Sequence, residues 1–164
     1  MAPVEIRTLA VDDWALWREV RLRSLADAPG AFGSKLADWQ GANDREDRWR
    51  SRFDHVACNV VAVVHGNVVG TAGGMHRVGG AELISMWVAP EVRGTGVGAA
   101  LVEAVVDWAT SASIERLILH VRRGNHAAVT LYERSGFTLV GPNPDDHTED
   151  LMARTLGGGR RANG

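Results

Sequence analysis

A hexapeptide rich in glycine, R-G-T-G-V-G at residues 93–98, separates an apolar, strand-like segment from a long amphipathic segment. Glycines allow the main chain to curl until several N–H groups point at one anion, and they leave no Cβ in its way. The first N–H groups of a helix have no intrahelical partner, and the helix dipole is positive at that end. The run is therefore suited to bind phosphate, with the Arg93 guanidinium at its edge.

Three known phosphate-binding patterns can be compared with this run. The Walker pattern G-x-x-x-x-G-K-[ST] fails, because no Lys followed by Ser or Thr stands where it is required. The dinucleotide pattern G-x-G-x-x-G fails because G-T-G-V-G-A lacks its register. The pattern R-G-x-G-x-G fits residues 93–98 without a gap. The structural alternative is a tight turn that only packs a helix close to a sheet.

A second cluster with chemical potential, N-H-A-A-V-T-L-Y-E-R-S-G-F, occupies residues 125–137. It follows a strand-like run and combines Asn125, the small Ala127 and Ala128, and Tyr132, the only tyrosine of the chain. Two further titratable residues lie near the same predicted strands. Glu82 opens the segment A-E-L-I-S-M-W-V, and His120 closes the segment R-L-I-L-H-V.

Alternation of apolar and polar residues and turn signals predict the elements that position these clusters. The first half is predicted to contain a strand at residues 4–9 and a helix capped by Asp12 or Asp13. A second helical region follows, capped by Asn43 or Asp44. Two valine-rich runs then form a hairpin around residues 65–67, with Gly66 and Asn67 as the favoured turn pair.

The second half is predicted to contain a strand at residues 81–89, a helix at about 97–112 and a strand at 116–121. A short helix ending at Gly136 and two final strands complete the pattern. The order β-α-α-β-β-β-α-β-α-β-β predicts an α/β (α+β) class with a mixed central sheet of about seven strands flanked by four helices.

Residues 88–98 and 125–137 resemble the two signature motifs of the GNAT superfamily of N-acetyltransferases, and residues 21–34 resemble the start of many small bacterial members. The resemblance covers residues 3–156. It implies one acetyltransferase domain at residues 1–156, followed by a C-terminal tail at 157–164 that is expected to be disordered.

The resemblance implies acetyl-CoA as the acetyl donor. The glycine loop would hold the pyrophosphate, the strand at residues 85–88 would carry the pantetheine arm, and the Val88 N–H would face the thioester carbonyl and stabilise its developing negative charge. Asn125 would orient the pantetheine and the start of the next helix. The cofactor-binding residues implied are Met86, Trp87, Val88, Arg93, Gly94, Thr95, Gly96, Val97, Gly98, Asn125, Ala128 and Tyr132.

Tyr132 matches the general acid that serves the departing thiolate in the family, although it could also be a core tyrosine. Two residues are candidates for the general base. Glu82 matches a glutamate that acts through water in several members, and His120 stands where others have a glutamate. Histidine, with an ordinary pKa of about 6.5, suits this role. Glu82 is slightly favoured because its strand also carries the cofactor.

The acceptor itself affects the need for a base. A lysine-like amine is neutral in about one molecule in 2,500 at pH 7, whereas an α-amine is neutral in about one in ten. A third hypothesis is therefore that neither residue is the base and that the acceptor has an intrinsically low pKa.

Composition excludes several other classes of function. The 164 residues carry a net charge of -2, which gives no basic excess for nucleic acid. No run of 18 apolar residues predicts a membrane span, and no signal peptide is evident. Cys58 is the only cysteine, and the histidines lack metal-binding spacing, so neither a disulfide nor a metal is predicted. These features favour a cytoplasmic protein.

The resemblance implies an acetyl-CoA-dependent N-acetyltransferase that transfers acetyl to a primary amine by direct attack in a ternary complex. The acceptor would be a small molecule or a protein amine. One alternative is a regulatory or catalytically degenerate domain that binds acyl-CoA, and another is a nucleotide-binding module using the same loop. Members of the family often dimerise, so a homodimer is a possible assembly.

Overall fold

The structure, a computed structural model, describes residues 3–29 and 34–157. Its seven strands are β1 (Glu5–Thr8), β2 (Cys58–Val64), β3 (Asn67–Arg77), β4 (Gly80–Val88), β5 (Arg116–Arg122), β6 (Thr138–Pro142) and β7 (Glu149–Thr155). The α-helices of these described ranges are α1 (Trp14–Asp27), α2 (Glu46–His55), α3 (Val97–Ser111) and α4 (His126–Arg134). The predicted fold class and element order are confirmed. The predicted tail falls almost entirely on residues 158–164, which lie outside the described residues.

The strands form one sheet in the order β1-β2-β3-β4-β5-β7-β6. All neighbouring strands are antiparallel except β4 and β5, which are parallel. This parallel pair is held at one end only, through Ala81 opposite Leu117 and Glu82 opposite Ile118. Beyond these residues the two strands separate, so the middle of the sheet opens toward the C-terminal ends of β4 and β5.

Helices cover both faces of the sheet. The buried residues of α3 recur at helical spacing and form one apolar side, made of Val97, Leu101, Val102, Val105, Val106 and Ala109. Two neighbouring glycines of β3 show which helix lies on which face. A Cβ built on Gly74 would meet the Trp108 ring of α3, whereas a Cβ on Gly73 would meet the Arg52 side chain of α2. None of the described helices is long and apolar enough to cross a membrane.

Three local predictions differ from the structure. Neither Asn43 nor Asp44 caps α2, which begins one residue after Arg45. The Asp44 carboxylate instead accepts hydrogen bonds from Arg18 and from the Trp49 indole, which together lower its pKa to about 2. Tertiary partners therefore outcompete the helix terminus for this carboxylate.

The other two differences concern α1 and the hairpin. Asp13 stands at the N-cap position of α1, but its carboxylate accepts from the Ala10 N–H, because a 3-10 turn precedes the helix. The hairpin turn is formed by His65 and Gly66, not by Gly66 and Asn67. Both turn residues have positive φ, 50° and 76°, as a type I′ turn requires, and Asn67 already pairs with Val64.

Candidate active site

A cleft of about 660 Å³ lies where β4 and β5 separate. The glycine loop that opens α3 and the first turns of α4 also contribute to its walls. The residues predicted from sequence that line this cleft are Met86, Trp87, Val88, Arg93, Gly94, Gly96, Gly98, His120, Asn125, Ala128 and Tyr132. The fold therefore brings both sequence clusters and one of the candidate bases into a single cavity.

Glycine is required in the loop by its backbone conformation. Gly94 and Gly96 have φ values of 79° and 93°, a region that L-residues rarely adopt. Gly96 is the N-cap of α3. A Cβ built on either residue would meet no protein atom within 4 Å. The main chain at these positions therefore faces open space and can be approached closely by a ligand.

Arg93 is held at the edge of the loop by two contacts. Its Nε donates to the Val88 carbonyl at 3.0 Å, and its Nη2 lies 2.7 Å from the Asp27 carboxylate. The same carboxylate accepts from the Trp87 indole at 2.9 Å. Asp27, the last residue of α1, thereby ties that helix to the end of β4 and to the loop.

Thr95 and Val97 belong to the loop without lining the cleft. The Thr95 hydroxyl donates to the Val92 carbonyl, and the Val97 side chain is buried in the core. If these two residues contact a ligand, they do so through their backbone groups.

Asn125 organises the second cluster. It is the N-cap of α4, and its side-chain oxygen accepts from the Ala128 N–H at 3.2 Å. The Asn125 side chain therefore caps α4. Gly136, with φ of 87°, follows the end of α4 as predicted.

Tyr132 lies at the inner wall of the cleft and is 6% exposed. Its ring packs edge-on against Phe137, with the ring centroids 6.1 Å apart. Burial raises the pKa of the Tyr132 hydroxyl well above its ordinary value, so the group stays protonated at physiological pH. Within the described residues, the hydroxyl makes no hydrogen bond. It is a proton donor with no acceptor in the part of the chain that the structure describes.

The two candidate bases form one hydrogen-bonded unit. His120 Nδ1 lies 3.0 Å from Glu82 Oε1, and Arg77 Nε donates to Glu82 Oε2 at 2.6 Å. An ionised carboxylate can only accept, so Nδ1 carries the hydrogen, and a neutral ring keeps its lone pair at Nε2. Glu82 is 7% exposed and has both oxygens engaged. His120 lines the cleft, whereas Glu82 does not.

A bulge in β4 lies between Glu82 and residues 87–88 of the same strand. Ser85 and Met86 lie opposite the single residue Ala72 of β3, because the register shifts between Thr71 and Gly73. Ser85 has a φ of 55°, which is unusual for a residue with a side chain. A bulge disrupts the local ladder and leaves backbone groups available. Met86 of the bulge and the two residues after it, Trp87 and Val88, line the cleft.

Sequence reasoning missed two arginines at this site. Arg122 ends β5 and Arg134 ends α4, and both line the cleft. Together with Arg93 they make its charged lining positive, since no carboxylate of the described residues contributes to it. Neither arginine forms an ion pair within the described ranges. In the sequence, the one signal that could have identified them is their position at the ends of predicted elements next to the two motifs.

Cys58 is buried in the core, and burial raises the pKa of its thiol to about 11. The thiol is therefore neutral at physiological pH and is a poor nucleophile. In residues 3–29 and 34–157, no group of three or more metal-binding side chains comes together.

Comparison with known proteins agrees with this geometry. The model of the acetyltransferase (GNAT) family matches residues 17–137. The chain belongs to this family.

Individual relatives support the same assignment. The mycothiol acetyltransferase of Renibacterium salmoninarum is 29% identical over 143 residues, which is 82% of this chain and 40% of that protein. The chain spans less than half the length of the curated relatives that it matches.

Two solved structures share the fold. The PaiA N-acetyltransferase of Thermoplasma acidophilum, in complex with coenzyme A, superposes with a TM-score of 0.73 at 18% identity, covering 94% of this chain and 99% of that one. The ribosomal-protein-S18-alanine N-acetyltransferase of Escherichia coli superposes with a TM-score of 0.65 at 22% identity, covering 98% of each chain.

Proposed function

We propose that this protein is an acetyl-CoA-dependent N-acetyltransferase that transfers the acetyl group to a primary amine by direct attack in a ternary complex. The observation that carries the proposal is the meeting of three features in one cleft: the open glycine loop, His120, which is hydrogen-bonded to Glu82 behind it, and Tyr132. Acetyl-CoA supplies an acetyl group activated as a thioester.

The cleft fits the phosphate-bearing part of this donor. The main chain at Gly94 and Gly96 is open to a ligand, and the charged lining is positive. Backbone N–H groups at the start of a helix, together with arginines, are the donors that phosphates prefer. Residues 86–88 of β4 would hold the pantetheine arm along the opposite wall.

His120 is the proposed general base. Its Nε2 lone pair can accept a proton from the acceptor amine, while Glu82 fixes the ring through Nδ1 and stabilises the imidazolium that results. Arg77 in turn fixes Glu82. Glu82 is thus a positioning residue in this proposal, although the sequence slightly favoured it as the base.

Tyr132 is the proposed general acid. Its buried hydroxyl stays protonated and has no acceptor among the described residues, so it can donate to a thiolate as the thiolate departs. The inert thiol of Cys58 supports transfer without an acetylated cysteine.

Release of the CoA thiol from acetyl-CoA tests this function when it is measured with a panel of α-amines, polyamines and aminoglycosides. We expect amine-dependent release together with an N-acetylated product. Tight CoA binding without transfer to any amine would instead identify a regulatory or degenerate domain. Displacement of CoA by ATP in a thermal-shift assay would identify a nucleotide-binding module.

A substitution in the glycine loop tests the donor site. Gly96→Val should weaken CoA binding by about tenfold or more, because its side chain fills the space through which phosphates reach the main chain, and hydrogen bonds to charged groups contribute about 1.5–3 kcal/mol each. Calorimetric titration with CoA measures the change.

Gly79→Val is the matched control. Gly79 also has a positive φ and open space around its Cβ position, but it lies in the turn between β3 and β4, outside the cleft lining. The strain of placing valine at positive φ is therefore common to both variants. If folded Gly96→Val bound CoA as tightly as the wild-type protein, the glycine loop would not be part of the donor site.

A further inference from the structure

A second pocket, of about 190 Å³, lies between α1, α2 and the 3-10 turn at residues 36–39. Its aromatic walls are Trp17, Trp39 and Trp49. Its ionisable lining consists of three arginines, Arg21, Arg48 and Arg52, with His55 and no described carboxylate.

Two of these arginines have only neutral partners among the described residues. Arg52 donates to the Asn59 side chain at 2.9 Å and to the Ser85 hydroxyl at 3.0 Å, and it stacks on the Trp17 ring with its Cζ 4.2 Å from the ring centroid. Arg48 donates to the backbone carbonyls of Asp38 and Asn43. Its Cζ lies 3.6 Å from the centroid of the Trp39 ring.

Burial makes the charge of this pocket costly. Arg52 Nη2 and the Trp39 indole N–H are buried and have no hydrogen-bond partner within residues 3–29 and 34–157. Burial and the neighbouring charge of Arg21 lower the pKa of Arg52 to about 9. Guanidinium groups that lie close together with little solvation repel one another, so binding of an anion between them is favourable. A carboxylate or phosphate is the group that arginine side chains bind best, through paired hydrogen bonds.

The pocket lies on the same face of the sheet as Glu82, the hydrogen-bond partner of the proposed base His120. Gly73 of β3 is opposite Ile84 of β4, and a Cβ on Gly73 would meet both the Ile84 side chain and Arg52. Glu82 lies two residues before Ile84 and therefore projects to this face as well. Arg52 bonds Ser85, three residues along the strand from Glu82. Three residues of a strand span about 10 Å.

From this arrangement we infer that the pocket binds an anionic group, a carboxylate or a phosphate. The acceptor would carry this group at the end opposite its amine. The identification of this ligand as the acceptor rests on the proposed function. The amine would lie at His120 and the anion at Arg48 and Arg52, so the enzyme would select amines that also carry a negative charge.

Matched acceptor pairs test this selectivity. The pairs, matched in length, are 6-aminohexanoate with 6-aminohexanamide, and 5-aminopentylphosphonate with 5-aminopentanol. We expect kcat/KM to be about ten to a hundred times higher for at least one anionic amine than for its neutral counterpart, since each charge-assisted hydrogen bond can contribute a factor of this size. The first pair reports a carboxylate site and the second a phosphate site.

Three substitutions on α2 locate the effect. Arg52→Gln and Arg48→Gln should each reduce the ratio of kcat/KM between anionic and neutral amines toward one. Arg50→Gln is the control: Arg50 belongs to the same helix but pairs with Asp12 and Glu46 and does not line the pocket. If Arg52→Gln fails to fold because the hydrogen bond to Ser85 is lost, Arg48→Gln still provides the test, since Arg48 is half-exposed. An unchanged ratio in both folded variants would overturn the proposal.

Direct binding separates failure of this proposal from failure of the proposed function. Three tryptophans line the pocket, so tryptophan fluorescence reports titration with 6-aminohexanoate or 5-aminopentylphosphonate without any reaction. Saturable binding that Arg52→Gln abolishes, in the absence of acetyl transfer, would support the anion site and contradict the transferase. No preference for the anionic member of either pair, in binding and in turnover, would overturn the anion site alone.

Discussion

Replacing His120 by alanine should lower kcat/KM for amine acetylation by about 10²- to 10⁴-fold, the usual contribution of a general base. The base must be neutral to accept a proton, so activity of the wild-type enzyme should fall as the pH is lowered. In His120→Ala, the acid limb of the kcat/KM profile should change to one that is set only by deprotonation of the amine. Steady-state rates measured across the pH range with one fixed amine provide the test.

His126→Ala is the matched control for that experiment. His126 is exposed at the start of α4, close to the cleft, but it does not line it. It should retain both the rate and the acid limb. Glu82→Gln should have a smaller effect than His120→Ala, because the ring remains in place while the charge that orients it is lost.

The opposite order would contradict the assignment of His120. If Glu82→Gln abolished turnover while His120→Ala retained it, the carboxylate would be the base. If neither change mattered and the limb shifted from one acceptor to another, the rate would simply follow deprotonation of the amine.

Removing the Tyr132 hydroxyl should lower kcat by about 10²- to 10⁴-fold, while the dissociation constant of acetyl-CoA changes little. The hydroxyl interacts most strongly with the thiolate that forms as the C–S bond breaks, so its loss affects the transition state more than the bound donor. Tyr132→Phe keeps the ring and its edge-on contact with Phe137. Turnover combined with calorimetric titration measures both quantities.

Folding of the Tyr132→Phe variant is checked by its thermal denaturation. A kcat within a factor of two of wild type, with chemistry limiting turnover, would make Tyr132 a packing residue. Weakened acetyl-CoA binding at unchanged kcat would place the hydroxyl in donor binding instead.

Local signals in the sequence were sufficient for most of the fold. Alternating strands, the glycine loop before α3 and the glycine after α4 are each encoded by adjacent residues, and the structure confirms the element order that they predict. Turn and cap residues were less reliable. The side chain of Asp44 is suited to a cap, but Arg18, 26 residues away, binds it instead.

The candidate site depended more on tertiary structure. Glu82 and His120 were recognised as two alternatives, yet their hydrogen bond joins residues 38 positions apart and exists only because β4 and β5 pair in parallel at one end. The bulge at Ser85 and Met86 contains no glycine or proline, so no local signal in the sequence predicts it. The segment E-D-R-W-R-S-R-F of α2 is hydrophilic, so nothing local indicates that Arg52 packs against Trp17 and Gly73.

The most direct test of direct acetyl transfer is a two-substrate initial-velocity experiment. Acetyl-CoA and one accepted amine are varied together, and CoA thiol and N-acetylated amine are quantified in each reaction. We predict equal amounts of the two products and double-reciprocal lines that intersect, as a ternary complex requires. Parallel lines, or thiol release without an N-acetylated product, would contradict direct attack of the amine on acetyl-CoA.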